Sequence, residues 1–237
     1  MSPPVTPSSD LLSIIVPVYN EVRTVRAVID RLVAVDLPVD REIVVVDDGS
    51  TDGTQRELAN AVSQGVAFTF IEAERNEGKG SAVRTGLGSV RGSIVAIQDA
   101  DLELDPAQLA RLVEPILRGD TQVVYGSRFM NGGSGAPWMT VAANRVLTGI
   151  TNVLFGSSLT DMETCYKIMR TDVARSLDLR ASRFDIEPEI TARLLRRGYR
   201  IMELPVRFDA RSRAQGKKLK WRDGLQALQV LVRERFL

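Results

Sequence analysis

Ser13-Ile14-Ile15-Val16-Pro17-Val18, running into Tyr19-Asn20-Glu21, and Glu42-Ile43-Val44-Val45-Val46, running into Asp47-Asp48-Gly49-Ser50, decide the fold. Continuous apolar runs of this length suit strands buried on both faces, as parallel sheets require. The first extends from Leu11 to Tyr19. Between the two, apolar residues at Val22, Val25, Val28, Ile29 and Leu32 recur at helical spacing.

The alternation continues outward. Thr51 or Asp52 is placed to cap a helix reaching about Gln64. Ala67 to Glu72 reads as a third strand. Asn76-Glu77-Gly78-Lys79-Gly80 is a tight turn before a helix around Ala82 to Leu87. Ser93 to Gln98 is a fourth strand, ending at Asp99-Ala100-Asp101. Asp105-Pro106 opens a further helix, and Gln122 to Tyr125 is a fifth strand ending at Gly126-Ser127-Arg128. This β-α-β-α order predicts an α/β fold, a mostly parallel doubly wound sheet with helices on both faces. In such sheets ligands sit beyond the carboxyl ends of the strands, where the polar clusters fall.

Two amphipathic helices follow. Asn131 to Pro137 is a glycine-rich loop, expected to be mobile. Val141 to Phe155 carries Val146, Leu147, Ile150, Val153 and Leu154 on one face. The last segment carries Trp221, Leu225, Leu228 and Val232 on one face, with Arg222, Gln226, Gln229 and Arg233 opposite. Packing onto the core is the default reading of both, and lying on a membrane surface is the alternative. Residues 1–10 read as a disordered tail and 11–237 as a single domain, with a nucleotide-binding half (11–125) and an acceptor half (126–237).

Composition narrows the chemistry. The 237 residues include no histidine and a single cysteine, Cys165. Imidazole bases, Cys-His and Ser-His-Asp catalysis, internal disulfides and thiolate zinc sites are therefore excluded. The thiol usage suits a reducing, cytoplasmic location. The start is Pro/Ser-rich and lacks the pattern of a signal peptide. Charge is uneven: residues 1–120 carry 11 basic and 19 acidic side chains, residues 121–237 carry 20 and 11. The second half therefore meets something anionic or simply presents a solvated basic face.

Asp99-x-Asp101, with Glu103 nearby, offers hard oxygen ligands to Mg²⁺ or Mn²⁺. Of Asp47 and Asp48, one makes the turn and the other is free for a nucleobase or ribose. Gly78-Lys79-Gly80 sets a cation in a turn before a helix, which suits phosphate. Neither the Walker pattern nor GxGxxG fits, and the glycine- and arginine-rich loop of sugar nucleotidyltransferases is absent after the first strand. Arg128, Arg145, Arg211, Arg213, Lys217 and Lys218 are candidates for a second phosphate site.

Taken together, Val16 to Glu21, Val46 to Thr54, Asn76-x-Gly78-Lys79-Gly80 and Asp99-Ala100-Asp101-Leu102 resemble the inverting family-2 glycosyltransferases of GT-A fold. Gly126-Ser127-Arg128, Asp161 to Lys167 and Phe184 to Glu189 resemble its dolichyl-phosphate mannose synthase and polyprenyl-phosphate glycosyltransferase branch. The resemblance implies that Pro17, Tyr19, Glu21 and Asp48 hold the nucleoside, with Lys79 near it. It implies that Asp99, Asp101 and residue 103 hold the metal on the donor diphosphate. Arg128 and Arg145 would grip the acceptor phosphate, and Arg211 with Lys217 would close over the pyrophosphate. Relatives commonly have Gln in place of Glu103, and many continue into transmembrane helices. The expectation is metal-dependent, inverting transfer from GDP-mannose or a UDP-sugar to polyprenyl or dolichyl phosphate. The enzyme would sit peripherally on the cytoplasmic membrane face or use a membrane-anchoring partner, and would have no nucleic-acid partner. Two alternatives are a hydroxyl acceptor served by a carboxylate base, Asp161 or Glu187, and a nucleotide-sugar-binding protein without turnover.

Overall fold

The computed structural model describes residues 10–130, 135–210 and 221–236, for 221–223 the backbone alone. One seven-stranded sheet forms, in the order β3-β2-β1-β4-β6-β5-β7. Its strands are β1 (Leu11–Val18), β2 (Asp40–Asp47), β3 (Thr69–Glu72), β4 (Ile94–Ile97), β5 (Val123–Ser127), β6 (Lys167–Arg170) and β7 (Ile201–Pro205). The helices are α1 (Val25–Ala34), α2 (Thr54–Ser63), α3 (Lys79–Ser89), α4 (Leu109–Leu117), α5 (Trp138–Phe155), α6 (Thr171–Ser176), α7 (Ile186–Arg196) and α8 (Trp221–Phe236).

The mostly parallel sheet expected from the apolar runs is present. Its exception is β6, which runs antiparallel to both β4 and β5. Both neighbours of β6 therefore run the same way, and β4 and β5 end at one edge of the sheet, two strand spacings or about 10 Å apart. The chain order reverses between β1 and β4, so a crevice opens there as in other doubly wound sheets. Pro17 sits in the middle of the sheet without cost. Val18 accepts from Asp48 N on the β2 side and Ile15 accepts from Gln98 N on the β4 side. By alternation Pro17 faces β4, whose pairing with β1 stops at Ile15.

Several boundaries differ from the sequence reading. Asp10 is anchored, accepting from Ser93 Oγ at 2.5 Å and pairing with Arg170 at 2.6 Å. The first helix starts at Val25, and Val22 lies before it, 39% exposed. Asp52, not Thr51, holds the start of α2, accepting from Thr54 N at 3.0 Å. At the Asp105-Pro106 start, Asp105 caps as expected and accepts from Ala107 N at 3.1 Å, opening a 3-10 turn that leads into α4.

The two late helices depart further. In α8 the buried side chains are Ala227, Val230, Leu231 and Glu234, while Leu225 and Val232 are 51% and 44% exposed. Of the face expected to pack, Leu225 and Val232 are turned outward and Leu228 is half-buried; Trp221 and Arg222 of that reading lie outside the described side chains. In α5 the polar residues Asn144, Thr148 and Thr151 are buried, and Val146 and Val153 point outward. Leu147, Ile150 and Leu154 remain half-buried against Met162, Ala192 and Leu231.

Candidate active site

Four of the polar strand ends interlock on the carboxyl edge of the sheet. Asn20 N donates to Ser50 Oγ at 2.9 Å, and Thr51 N donates to Asn20 Oδ1 at 2.8 Å. Asp47 is fully buried and accepts from Ser50 N and from Gln55 Nε2, both at 3.0 Å. Asp48 accepts from Asn76 Nδ2 at 2.8 Å, Glu77 N at 2.8 Å and Gly78 N at 2.7 Å. Both aspartates thus fix turns, where the sequence suggested that one was free for a nucleoside. Burial pushes the Asp48 carboxyl up, against the backbone donors at Glu77 and Gly78. Gly49 is required between them: its φ is +67°, and a Cβ would lie 2.6 Å from the Arg75 carbonyl carbon.

Lys79 is also placed differently from a phosphate-facing cation. Its Nζ lies 2.8 Å from Asp99 Oδ1 and 2.9 Å from Glu187 Oε1. Burial opposes its charge, but Asp99 and Glu187 prevail and its pKa rises well above the ordinary lysine value. The second Glu187 oxygen lies 2.7 Å from the fully buried Lys167 Nζ. Lys167 in turn donates to the carbonyls of Met162 and Thr164 at 2.9 and 2.5 Å. A line of alternating charge, Asp99-Lys79-Glu187-Lys167, therefore runs beneath the β4 end and joins the two halves of the chain.

Asp99 and Asp101 are half-buried at the end of β4. Asp101 Oδ1 accepts from Glu103 N at 3.1 Å, holding Leu102 at a φ of +63°. Among the described residues no three acidic or thiol groups close around an ion. Asp99 and Asp101 still fit a hard cation of the Mg²⁺ kind, which takes one or two carboxylates together with substrate phosphates and water.

At the end of β5, Arg128 forms a bidentate pair with buried Asp161, Nε–Oδ2 at 2.7 Å and Nη2–Oδ1 at 2.8 Å. Arg128 N donates to the same carboxylate at 3.0 Å, and Asn144 Nδ2 on α5 donates to it at 3.2 Å. The guanidinium stacks between Phe129 and Phe208, with centroids at 5.6 and 5.2 Å. Nη1 has no acceptor among the described residues and is the edge left for an anion. Arg145, one residue beyond Asn144, is exposed and outside this pair. Of the remaining expected site residues, Pro17 is buried in β1, Tyr19 and Glu21 are half-buried beyond its end, and Arg211 and Lys217 lie outside the described residues. Not all of the basic run faces outward: Arg193 is held by Glu189 at 2.8 Å and Glu234 at 3.1 Å.

Two groups were missed in the sequence, Lys167 and Glu163. A lysine inside the apolar run Tyr166-Lys167-Ile168-Met169 is a visible anomaly, since lysine is almost never fully buried unpaired. Glu163 gives no such signal, because its burial comes from distant elements.

A GT-A-like α/β sheet with a carboxylate pair at the end of β4 and a braced arginine at the end of β5 defines a sugar-transferring site. The chain belongs to glycosyl transferase family 2, whose pattern matches residues 13–178. It is 31% identical over 211 residues to an undecaprenyl-phosphate mannosyltransferase of Micrococcus luteus, covering 86% of this chain and 85% of that protein. A dodecaprenyl-phosphate galacturonate synthase of Rhizobium johnstonii is 30% identical over 87% of this chain, which spans 61% of it. For the dolichol-phosphate mannosyltransferase of Pyrococcus furiosus the figures are 28%, 87% and 58%. Among solved structures, the glucosyl-3-phosphoglycerate synthase of Mycobacterium tuberculosis in complex with UDP shares the fold. Its TM-score is 0.73 at 23% identity, over 96% of this chain and 80% of that one. The same enzyme has been crystallised with Mn²⁺ and UDP-glucose.

Proposed function

We propose that this glycosyltransferase moves a sugar from a nucleotide-sugar to the phosphate of a polyprenyl or dolichyl lipid, with inversion at the anomeric carbon. The observation that carries this reading is Arg128, a guanidinium preformed by Asp161 at the same sheet edge as Asp99 and Asp101. An anionic acceptor oxygen needs little base, so the work is to position two anions and to neutralise the departing diphosphate. Asp99 and Asp101 would hold Mg²⁺ or Mn²⁺, which when bound supplies charge to the leaving diphosphate. Tyr19 and Glu21 line the nucleoside end, and Arg128 orients the acceptor. The two carboxylates available as bases for a hydroxyl acceptor are both held by cations: Asp161 by Arg128 and Glu187 by Lys79 and Lys167. The names of the three relatives above give mannose twice and galacturonate once, and all three give a lipid phosphate.

No helix among the described residues is long and apolar enough to cross a membrane. The outward faces of α5 and α8 supply a different means of reaching a lipid acceptor. Trp138, Met139, Val146 and Val153 on α5 are 78%, 61%, 61% and 86% exposed, and Phe236 on α8 is 72% exposed. Arg145, Arg233 and Arg235 lie on the same two helices, as interfacial helices on anionic lipid require. The protein would thus sit on the cytoplasmic membrane face.

The test uses purified protein, Mn²⁺, a short polyprenyl phosphate and a panel of labelled GDP- and UDP-sugars. Label should enter the organic phase with one donor and stop entering on addition of EDTA. Nucleoside diphosphate release only when soluble glycans are added would overturn the lipid-phosphate reading. Donor binding with no release under any condition would replace it with the non-catalytic alternative.

A further inference from the structure

Glu163 stands apart from the other acidic groups near Arg128. Its Oε1 is buried and accepts no hydrogen bond among the described residues. The oxygens of Glu187 also lack aligned hydrogen bonds, but each has a lysine nitrogen within 2.9 Å. No such contact is made by Glu163 among the described residues. The charged groups facing it are Lys167 on β6, Glu187 on α7, and Arg128 and Asp161 around the end of β5. Burial is the main influence and raises its pKa. Glu187 and Asp161 push the same way and Lys167 and Arg128 oppose them, leaving it at about 7.

We propose that Glu163 is the proton-holding residue of the acceptor-phosphate pocket, carrying the single proton that it and a bound phosphate monoester share. The inference rests on the lipid-phosphate reading above. Two anions brought into one partly desolvated pocket do not both stay ionised, and the proton goes to the more basic. A phosphate monoester loses its second proton at about pH 6. Glu163, with a buried oxygen that no donor among the described residues reaches and a pKa raised by burial to about 7, is the more basic of the two. Arg128 favours the dianion further. The bound pair is thus neutral Glu163 and dianionic phosphate. A phosphate oxygen then forms the bond to the anomeric carbon. The bond from that carbon to the donor diphosphate breaks, and its electron pair leaves on the nucleoside diphosphate. The proton stays on Glu163 throughout and returns to solvent when product departs.

The sign of the pH dependence separates this role from that of a base. A neutral Glu163 helps below about pH 7 and is lost as pH rises. A base would be gained over the same range. The measurement is kcat/KM for short-chain polyprenyl phosphate between pH 6 and 9, for the wild type and Glu163→Gln. The wild type should fall up to tenfold per pH unit above an apparent pKa at or somewhat above 7. Glu163→Gln, permanently neutral, should remain active and flat from pH 7 to 9, with the donor KM unchanged in both. A second measurement needs no variant: calorimetry at pH 8 in buffers of different ionisation enthalpy should show uptake of about one proton on binding the acceptor. Wild-type pH dependence retained in Glu163→Gln, activity rising through pH 7 in the wild type, or no proton uptake would each overturn the proposal while leaving lipid-phosphate transfer intact. Absence of transfer to lipid phosphate by the wild type would instead overturn the reading on which it rests.

Discussion

Helix α1 buries Val25, Val28, Ile29 and Leu32 completely, whereas α5 buries Asn144, Thr148 and Thr151 and leaves Val153 86% exposed. Both segments show apolar residues at helical spacing, but in α5 the stripe is split, with Leu147, Ile150 and Leu154 half-buried and Val146 and Val153 facing outward. Helical periodicity reveals that a stripe exists; what the stripe meets is set by the neighbours. Helix α1 is tied by short turns to β1 and β2, so its stripe falls on the sheet. In α5 the polar side is recruited instead. Asn144 braces Asp161, Thr148 donates to Asn144 Oδ1 at 3.1 Å, and Met162 N donates to Thr148 Oγ1 at 3.1 Å. The inner face of α5 thus braces Asp161, the partner of Arg128, and part of its apolar surface is turned outward.

The same contrast separates the donor end from the acceptor end, and substitution of one carboxylate on each side sharpens it. Asp101→Ala removes a half-buried carboxylate that the proposed mechanism uses as a hard oxygen ligand. Transfer should drop by at least about 100-fold, corresponding to several kcal/mol of lost charge stabilisation. The thermal midpoint should stay nearly unchanged. Near-normal organic-phase labelling in this variant would remove the metal assignment. Glu187→Gln acts in reverse, since it leaves Lys167, fully buried, and Lys79 without their shared carboxylate. Breaking a buried pair on one side costs about 3–5 kcal/mol. Urea unfolding should read that loss directly, and a change below about 1 kcal/mol would show that the charge line is solvated.

These two residues also mark how far the sequence is legible. Asp101 is found by reading along the chain, because a strand, its terminal turn and the following helix are local. The first five strands and the convergence of their ends follow from the same local logic. Lys167 and Glu187 meet only because β6 inserts antiparallel between β4 and β5 and α7 packs behind it, and no periodicity encodes that long-range pairing. The partners of Lys79 and Asp48 are illegible for a related reason. Short spacing identifies both as turn residues, but their partners, Glu187 and the Asn76–Gly78 turn, come from elsewhere in the fold. The last two strands are short; β6 begins and ends on the cations Lys167 and Arg170 and β7 is interrupted by Glu203, which hides them from an apolar-run search.

A paired series on α1 and α5 tests the inversion of faces. Val28→Ala should cost about 2 kcal/mol of stability, as expected for the deletion of two methyl groups in a packed core. Val146→Ser and Val153→Ser should each leave stability within about 0.5 kcal/mol, because neither side chain is packed. Each should weaken binding to anionic phospholipid vesicles by about tenfold, from roughly 0.8 kcal/mol per carbon group withdrawn from lipid. Co-sedimentation with vesicles reads the second effect and thermal unfolding the first. Equal destabilisation in both helices would mean that α5 is packed against something in solution, and undiminished vesicle binding would place membrane contact elsewhere.

The smallest effect lies at Asp52, where fold and donor site share one carboxylate. Asp52 accepts from Thr54 N at 3.0 Å and from Thr54 Oγ1 at 2.5 Å, and through its other oxygen from Val22 N at 3.2 Å. Thr54 Oγ1 in turn accepts from Glu21 N at 3.0 Å. One side chain therefore starts α2 and fixes the turn that carries Tyr19 and Glu21. Loss of a cap of this kind costs about 1 kcal/mol. Asp52→Ala should lower stability by that amount and raise the donor KM a few-fold, while the acceptor KM is unchanged. In the proposed assignment the turn it holds serves the donor alone, so a rise in acceptor KM would show that the two ends are mechanically coupled after all. The routes for such coupling are the contacts that join the first half to the second, among them the Lys79–Glu187 ion pair and the β4–β6 pairing.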